Sequence, residues 1–345
     1  MIRAVLAALT LSAFLGGGAL AAEVQKVKVA NYIPYTVFEQ LFAAGVKKGF
    51  FEGVDVEITS IPDRGIQISQ LTSGELQFST VWSYGVYENL EFVAAFGGTS
   101  YRIIAQKGTK LKQFGSVDDV LADIEVAVTR CGEELTQKTF SVSAAPVYAL
   151  VREQNERLRA AGLPETRWHC GSRAESGLSD EEVARTVFLI QIPKGGSSAR
   201  TAAIVSGAAQ AAVVTVPQNV KLASQGFVTL VESLPKSVGP ENGLAAHKDY
   251  ARSPEGVRAT QALCRGWQKT VEWFSDPANR DAVMAEIAEP LRLELGSEVA
   301  AYSLQYAIDN AILSCDLPDD EVEDIAREFV VESVHPNFSA VRSMK

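Results

Sequence analysis

The sequence predicts an α/β fold of two lobes, each a mostly parallel sheet flanked by helices, followed by a helical C-terminal tail. Apolar residues alternate in short stretches, as at Val54, Val56 and Ile58, and stretches with helical spacing separate them. Strands that alternate with helices form βαβ units with parallel strands. The turn at 73–77 (SGELQ) is echoed at 206–210 (SGAAQ), and both precede a strand. This repetition indicates two lobes of similar construction.

The first 22 residues have the features of a cleaved signal peptide. Arg3 is the only charge before Glu23, residues 4–15 are apolar, and small residues end the segment. A membrane anchor is the alternative, because the apolar stretch approaches spanning length. Three glycines at 16–18 argue against a continuous helix, so we expect export with cleavage near Ala21 and Ala22. No later segment is long and apolar enough to span a bilayer.

The predicted elements follow one another in the order that a two-lobed fold requires. We assign 23–100 and 227–345 to the first lobe and 101–226 to the second. In the first lobe, strands are expected around Val27 and Val29, over 54–58 and over 76–80, with helices from Thr36 to Gly49 and up to Gly74. In the second lobe, strands are expected over 124–129, 187–192 and 210–215, with helices within 133–161, from Ala199 to Val205, and from Pro217 to Gly226.

Three features interrupt or extend this pattern. Pro146 breaks or restarts the helix within 133–161. Residues 168–185 are polar and rich in Gly and Ser, which predicts an excursion on the surface. From Ser253 onward the chain is mainly helical, with starts at Ser253 and Asp276 and an amphipathic stretch from Asp319 to Glu332. No linker precedes this tail, so we expect it to pack on the first lobe.

Charge and cysteine content narrow the partners and the compartment. The chain has 32 basic and 42 acidic residues, which argues against nucleic acid and anionic lipid as partners. An anionic ligand stays possible, because local donors decide that. An even number of cysteines in an exported chain suggests disulfides, with four buried free thiols as the alternative. Pairing of nearest neighbours would join Cys131 to Cys170 and Cys264 to Cys315.

The order of three stretches resembles the periplasmic-binding proteins of ABC importers, of the sulfonate, taurine, nitrate and pyrimidine-precursor type. They are 45–57 (GVKKGFFEGVDVE), 71–78 (LTSGELQF) and 195–226. The resemblance implies a type II periplasmic-binding fold and a monomer in the periplasm that needs no cofactor or metal. It also implies three partners, namely a small-molecule ligand, an ABC permease and the ATPase of that permease.

Departures from the family pattern leave the ligand class open. Gln77 and Gln210 stand where the family usually has Asp. The turn at 130–134 (RCGEE) replaces the usual Gly-Ser-Ser, and the excursion at 168–185 is additional. A sulfonate, a taurine-like zwitterion and an amino-pyrimidine all stay compatible.

The ligand site is expected where the carboxyl ends of the strands in both lobes meet, because open parallel α/β sheets bind ligands there. Helix N-termini at that edge supply unpaired backbone N–H groups. The candidate residues at these strand ends and helix starts are Asn31, Tyr32, Tyr35, Trp82, Ser83, Tyr84, Arg130, Gly132, Glu133, Ser197, Thr215 and Gln218.

Several of these candidates have a second interpretation. Tyr32 and Tyr35 suit either ligand stacking or packing at the edge of the core. Ser197 could donate to ligand or cap its helix, and Arg130 could be a surface charge. Glu133 either complements a helix dipole or faces the cleft, where it would favour a ligand with a cationic or donating end.

An enzyme and a sensor subunit are the competing functions. A related fold serves pyrimidine synthesis, in which the protein acts on its own histidine. The three histidines of this chain, His169, His247 and His335, lie at none of the strand ends of the proposed cleft, and no GxSxG, P-loop or HExxH motif occurs. Catalysis is therefore not expected.

The sensor alternative stays open, because a subunit that presents bound ligand to a membrane receptor would have the same sequence features as a transport protein.

Overall fold

Two separate sheets organise the chain. The computed structural model describes residues 24–31, 36–61, 63–80, 89–98, 101–132, 143–193, 196–231 and 242–312. The predicted signal peptide, the amphipathic stretch from Asp319 to Glu332, and Cys315 lie outside these residues. Within the described part, no helix has the length and apolar character needed to cross a membrane.

The first sheet has five strands in the order β2-β1-β3-β13-β4. β13 runs antiparallel to both of its neighbours, and the other strands share one direction. The strand bounds are β1 (Gln25–Asn31), β2 (Val54–Ser60), β3 (Phe78–Ser79), β4 (Leu90–Gly97) and β13 (Asn242–His247). The chain therefore leaves this sheet after β4 and returns to its middle through β13.

The second sheet has six strands in the order β12-β5-β11-β8-β10-β9. Here β5 is the one strand that runs against the others. The bounds are β5 (Tyr101–Ala105), β8 (Ile124–Val128), β9 (Arg167–Cys170), β10 (Thr186–Gln191), β11 (Ala211–Thr215) and β12 (Val228–Val231), with a separate hairpin of β6 (Lys112–Phe114) and β7 (Val117–Val120). Both sheets are thus mostly parallel, which confirms the predicted fold class.

Helices connect and cover these strands. Their bounds are α1 (Val37–Lys47), α2 (Arg64–Ser73), α3 (Ala145–Ala160), α4 (Asp180–Val183), α5 (Gly196–Val205), α6 (Gln218–Ser224), α7 (Lys248–Arg252), α8 (Pro254–Ser275), α9 (Arg280–Ala288) and α10 (Glu298–Asn310). The predicted capping box at the start of α1 is present, since Thr36 and Glu39 exchange hydrogen bonds. Pro146 lies in the first turn of α3, where proline is well tolerated.

Aromatic packing joins the C-terminal helices to the first sheet. Trp267 of α8 is fully buried and stacks on Phe96 of β4, with ring centroids 4.6 Å apart. Phe38 of α1 meets Trp267 edge-on, with ring centroids 6.3 Å apart. The long helix α8 therefore belongs to the core of the first lobe, as predicted from the missing linker. The second lobe has its own core, in which α3 covers one face of the sheet.

One predicted excursion is confirmed only in part, and one predicted lobe boundary was wrong. The stretch 168–185 is only partly an excursion, because β9 pairs in parallel with β10, with Cys170 opposite Leu189, and α4 follows it. The strand β12 was assigned to the first lobe but pairs with β5 in the second sheet. The return to the first lobe therefore comes after Val231, later than the predicted boundary at 227.

The structure contains a disulfide between Cys131 and Cys170, as the sequence suggested, with 5.6 Å between the two Cα atoms. Cys264 is also disulfide-bonded. Its predicted partner, Cys315, lies outside the described residues.

Candidate functional site

The carboxyl ends of the strands in the two sheets approach each other around one side chain, Tyr306 of α10. The Tyr306 ring lies 6.0 Å from the ring of Phe38, in the first turn of α1. The guanidinium of Arg102, from β5, lies 5.4 Å from the same ring. Tyr101, the residue before Arg102, pairs with Thr215 at the carboxyl end of β11. The two strand edges therefore lie close together, at the place where the ligand cleft was predicted.

A second contact supports this arrangement. Val216 follows the last residue of β11, yet it is fully buried in the apolar core of the first lobe. The edge of the second sheet therefore reaches the first lobe.

Buried polar groups occupy the first-lobe side of the cleft. Asn31, at the end of β1, is fully buried, and its Nδ2 donates to the Glu39 carbonyl over 3.0 Å. The Thr80 hydroxyl lies 3.0 Å from Asn31 Oδ1 and 3.1 Å from Glu39 Oε1. Glu39 Oε2 accepts from the Thr36 backbone N–H and hydroxyl. An acidic side chain, 6% exposed, therefore lies at the start of α1 beside the ends of β1 and β3.

A buried arginine lies on the second-lobe side. Arg200 of α5 is 3% exposed, and its Nη1 donates to the Thr129 hydroxyl over 2.7 Å. Its Nε donates to the Val213 carbonyl, and its guanidinium lies 5.9 Å from the ring of Tyr101. These partners lie just after β8, in the middle of β11 and at the start of β5. A positive charge is thus held at this edge.

The start of α5 is joined to β11 beside this arginine. The Ser197 hydroxyl accepts from the Thr215 backbone N–H over 3.1 Å. The Thr215 hydroxyl donates to Gln218 Oε1 over 3.1 Å. Ser197 therefore links a helix to a strand, a role that neither of its two predicted interpretations included.

The predicted site residues divide into two groups. Asn31 lies on the first-lobe side, and Arg130, Gly132, Ser197, Thr215 and Gln218 lie at strand ends or helix starts of the second lobe. The remaining six candidates, Tyr32, Tyr35, Trp82, Ser83, Tyr84 and Glu133, lie outside the described residues.

Sequence reasoning missed the two buried charges. Glu39 was interpreted only as a capping residue. Arg200 lies one turn inside α5, whereas the candidate residues were sought at strand ends and at the first residues of helices. The available signal for Arg200 was its spacing of three from Ser197, which places the two side chains on one helix face.

Two more buried polar atoms lie next to candidate residues in the sequence. Nε2 of Gln40 and Oδ1 of Asn219 have no hydrogen-bond partner in the part of the chain that the structure describes. Buried polar atoms are usually satisfied. Gln40 follows Glu39 in the sequence, and Asn219 follows Gln218.

Among the described residues, no cluster of His, Cys, Asp and Glu could hold a metal ion.

No protein-family model and no curated protein matches this chain. Solved structures do match. The alkanesulfonate-binding protein SsuA from Xanthomonas axonopodis pv. citri, bound to MOPS, is 12% identical, with 91% of this chain and 97% of that chain covered and a TM-score of 0.58. The periplasmic aliphatic sulphonate binding protein SsuA from Escherichia coli is also 12% identical, with 88% and 85% covered and a TM-score of 0.58.

A third match is the ligand-binding component of an ABC-type import system from Staphylococcus aureus, a structure with zinc bound. It is 12% identical, with 88% of this chain and 90% of that chain covered and a TM-score of 0.57. This chain has the periplasmic-binding-protein fold. The fold implied by the resemblance of the three sequence stretches is thereby confirmed.

Proposed function

We propose that this protein is the exported solute-binding component of an ABC import system. It captures a small organic solute, of the sulfonate or taurine-like or the pyrimidine-like class, between its lobes in the periplasm. As a monomer without cofactor or metal, it delivers that solute to a permease driven by an ATPase. Ligand contacts from both lobes form together only in the closed state, so ligand stabilises closure.

One observation carries this proposal: buried charges of opposite sign lie on the two sides of the cleft. Arg200 suits an anionic group such as a sulfonate, since a guanidinium binds such groups through charge-assisted hydrogen bonds. Glu39 suits a cationic or hydrogen-bond-donating group. Burial of both side chains strengthens these interactions relative to water. The arrangement therefore favours a ligand with both kinds of group over a bare anion.

Binding rather than catalysis is supported by the position of a histidine. His247 ends β13 and pairs with Leu90 at the start of β4, on the sheet edge opposite the cleft. His169 pairs with Phe188, in the middle of β10, and its ring meets the Phe188 ring edge-on. His335 lies outside the described residues.

The test begins with mass spectrometry of small molecules released from the purified protein, followed by calorimetric titration. The probes are 2-aminoethanesulfonate, ethanesulfonate and an aminopyrimidine. We expect Arg200→Met to weaken binding of the sulfonates about 10- to 100-fold, because hydrogen bonds to charged groups contribute about 1.5–3 kcal/mol. Glu39→Gln should weaken 2-aminoethanesulfonate more than ethanesulfonate.

Arg159→Met is the matched control, because Arg159 is an exposed residue of α3 that pairs with Glu165. Circular dichroism establishes that each variant is folded. A folded Arg200→Met protein with wild-type affinity for a sulfonate would remove the anion-binding role, and a wild-type protein that binds no small solute would contradict the function.

A further inference from the structure

The edge strand β9 reaches the loop that follows β8 through two side chains. Cys170 forms the disulfide with Cys131. Trp168 Nε1 donates to the Gly132 carbonyl over 3.2 Å. Side chains two residues apart on a strand point to the same face, so both links come from one face of β9. They hold the segment 130–132, which includes the candidate ligand residues Arg130 and Gly132.

The strand β9 is itself firmly placed. The Trp168 ring packs on the ring of Tyr148 from α3, with centroids 4.8 Å apart. The backbone N–H of Gly171, just past Cys170, donates to the Leu189 carbonyl over 3.1 Å. The other end of the linked segment is also held, because the Thr129 N–H donates to the Ser143 hydroxyl over 2.7 Å.

We propose that β9 is a brace that positions 130–132 for ligand binding, with the Cys131–Cys170 disulfide and Trp168 as its positioning residues. This rests on the proposed function. A segment that is ordered before ligand arrives loses less conformational freedom on binding, and affinity rises accordingly. The disulfide is buried on the Cys131 side, and it removes backbone freedom that a strand-end loop otherwise keeps.

The brace makes a prediction that needs no ligand. Amide hydrogen exchange of peptides covering 129–132 is measured in the ligand-free wild type, in Cys131→Ser/Cys170→Ser and in Trp168→Phe. Phenylalanine keeps a ring against Tyr148 and removes the N–H donor together with part of the volume of the indole. We expect exchange in this segment to rise about fivefold in Trp168→Phe, as loss of one hydrogen bond implies, and more in the double variant. Peptides of β5 and β11 should be unchanged.

The matched control is Gln106→Met. Gln106 follows β5 and is half-buried, and its Nε2 donates to the Ile204 and Ala209 carbonyls, at the end of α5 and just before β11, over 3.3 Å each. Its replacement weakens the second lobe at the amino end of β11, away from β9, so exchange at 129–132 should stay at the wild-type rate. If the double variant does not fold, Trp168→Phe alone decides the outcome.

Affinity is then measured with 2-aminoethanesulfonate, ethanesulfonate and the aminopyrimidine, at a temperature where all variants are folded. We expect both brace variants to bind about tenfold or more weakly and Gln106→Met to bind like the wild type. Unchanged exchange in the folded brace variants overturns the proposal, and so does raised exchange with unchanged affinity. If the wild type binds none of the probes, the proposed function fails for these classes, and the exchange measurement alone decides whether β9 orders the segment.

Discussion

At the residue scale, Tyr250 makes stability depend on alkaline pH. Its hydroxyl accepts from Gln25 Nε2 over 2.8 Å, and its ring packs on Phe78 with centroids 5.5 Å apart. Burial, together with the nearby charge of Glu255, raises the pKa of Tyr250 to about 12. In the unfolded chain a tyrosine titrates near pH 10. Between these values the unfolded chain binds fewer protons than the folded protein, so stability falls as pH rises from about 10 to about 12.

We therefore expect the free energy of unfolding of the wild type to decline more steeply across this range than that of Tyr250→Phe. Urea unfolding at several pH values measures both slopes. Tyr302→Phe is the control, because Tyr302 is 42% exposed, and its slope should follow the wild type. Equal slopes for wild type and Tyr250→Phe would contradict the prediction.

Individual site residues were predictable only where their position depends on local rules. Thr215 was placed at a strand end because it closes a short apolar stretch, and Ser197 was placed near a helix start because it follows two glycines. Arg200 was not found, because its importance comes from burial and from contacts with Thr129 and Val213, both distant in sequence. The capping role of Glu39 was predictable from spacing, whereas its contact with Thr80 depends on the pairing of β1 with β3.

At the element scale, close packing of α1 against β4 leaves no room for a side chain at Gly97. A Cβ atom added to Gly97 would overlap the ring of Phe38, which Trp267 and Tyr306 confine from other sides. We expect Gly97→Ala to lower the free energy of unfolding by about 1–3 kcal/mol, the usual cost of overpacking a core.

The adjacent glycine is the control for this prediction. A Cβ atom on Gly98 would come no closer than 3.7 Å to its neighbour Asn310, which is an ordinary contact distance. Gly98→Ala should therefore change the free energy of unfolding by less than about 0.5 kcal/mol. Urea titration of both variants measures the difference, and equal losses would show that backbone freedom rather than the Phe38 ring sets the requirement.

Elements with strong patterns were predicted well, and edge elements were not. The strand β2 shows clear alternation, and α1 shows helical spacing with a capping box. In contrast, β9 pairs with one neighbour, is half-exposed over most of its length and is followed by polar residues, so its sequence looks like a surface loop. The assignment of β12 failed for a related reason, because four half-buried residues at an edge do not indicate which sheet they join.

At the scale of the whole molecule, the second lobe is inserted into the first. Residues 101–231 contain the whole second sheet with its own core, the β6–β7 hairpin, and both Cys131 and Cys170. The first sheet is completed only by β13, which lies between β3 and β4. The sequence predicted two lobes from repeated turns and strand order, but the position of β13 in its sheet depends on long-range pairing that no local pattern encodes.

This topology predicts different behaviour for fragments of the two lobes. We expect residues 101–231 to fold alone and to unfold cooperatively in urea, although exposure of Val216 costs about 1.5–3 kcal/mol. Residues 24–98 should not fold alone, because β3 and β4 lack the strand between them and Phe38 and Phe96 lack Trp267. Joining 24–98 to 242–345 should restore cooperative unfolding. A linker of about four residues is long enough to join position 98 to position 242. These two ends lie close together, because Gly97 pairs with Asn242 and the Asn242 Nδ2 donates to the Gly98 carbonyl. Cooperative unfolding of 24–98 alone, or its absence in 101–231, would contradict an inserted second lobe that folds on its own core.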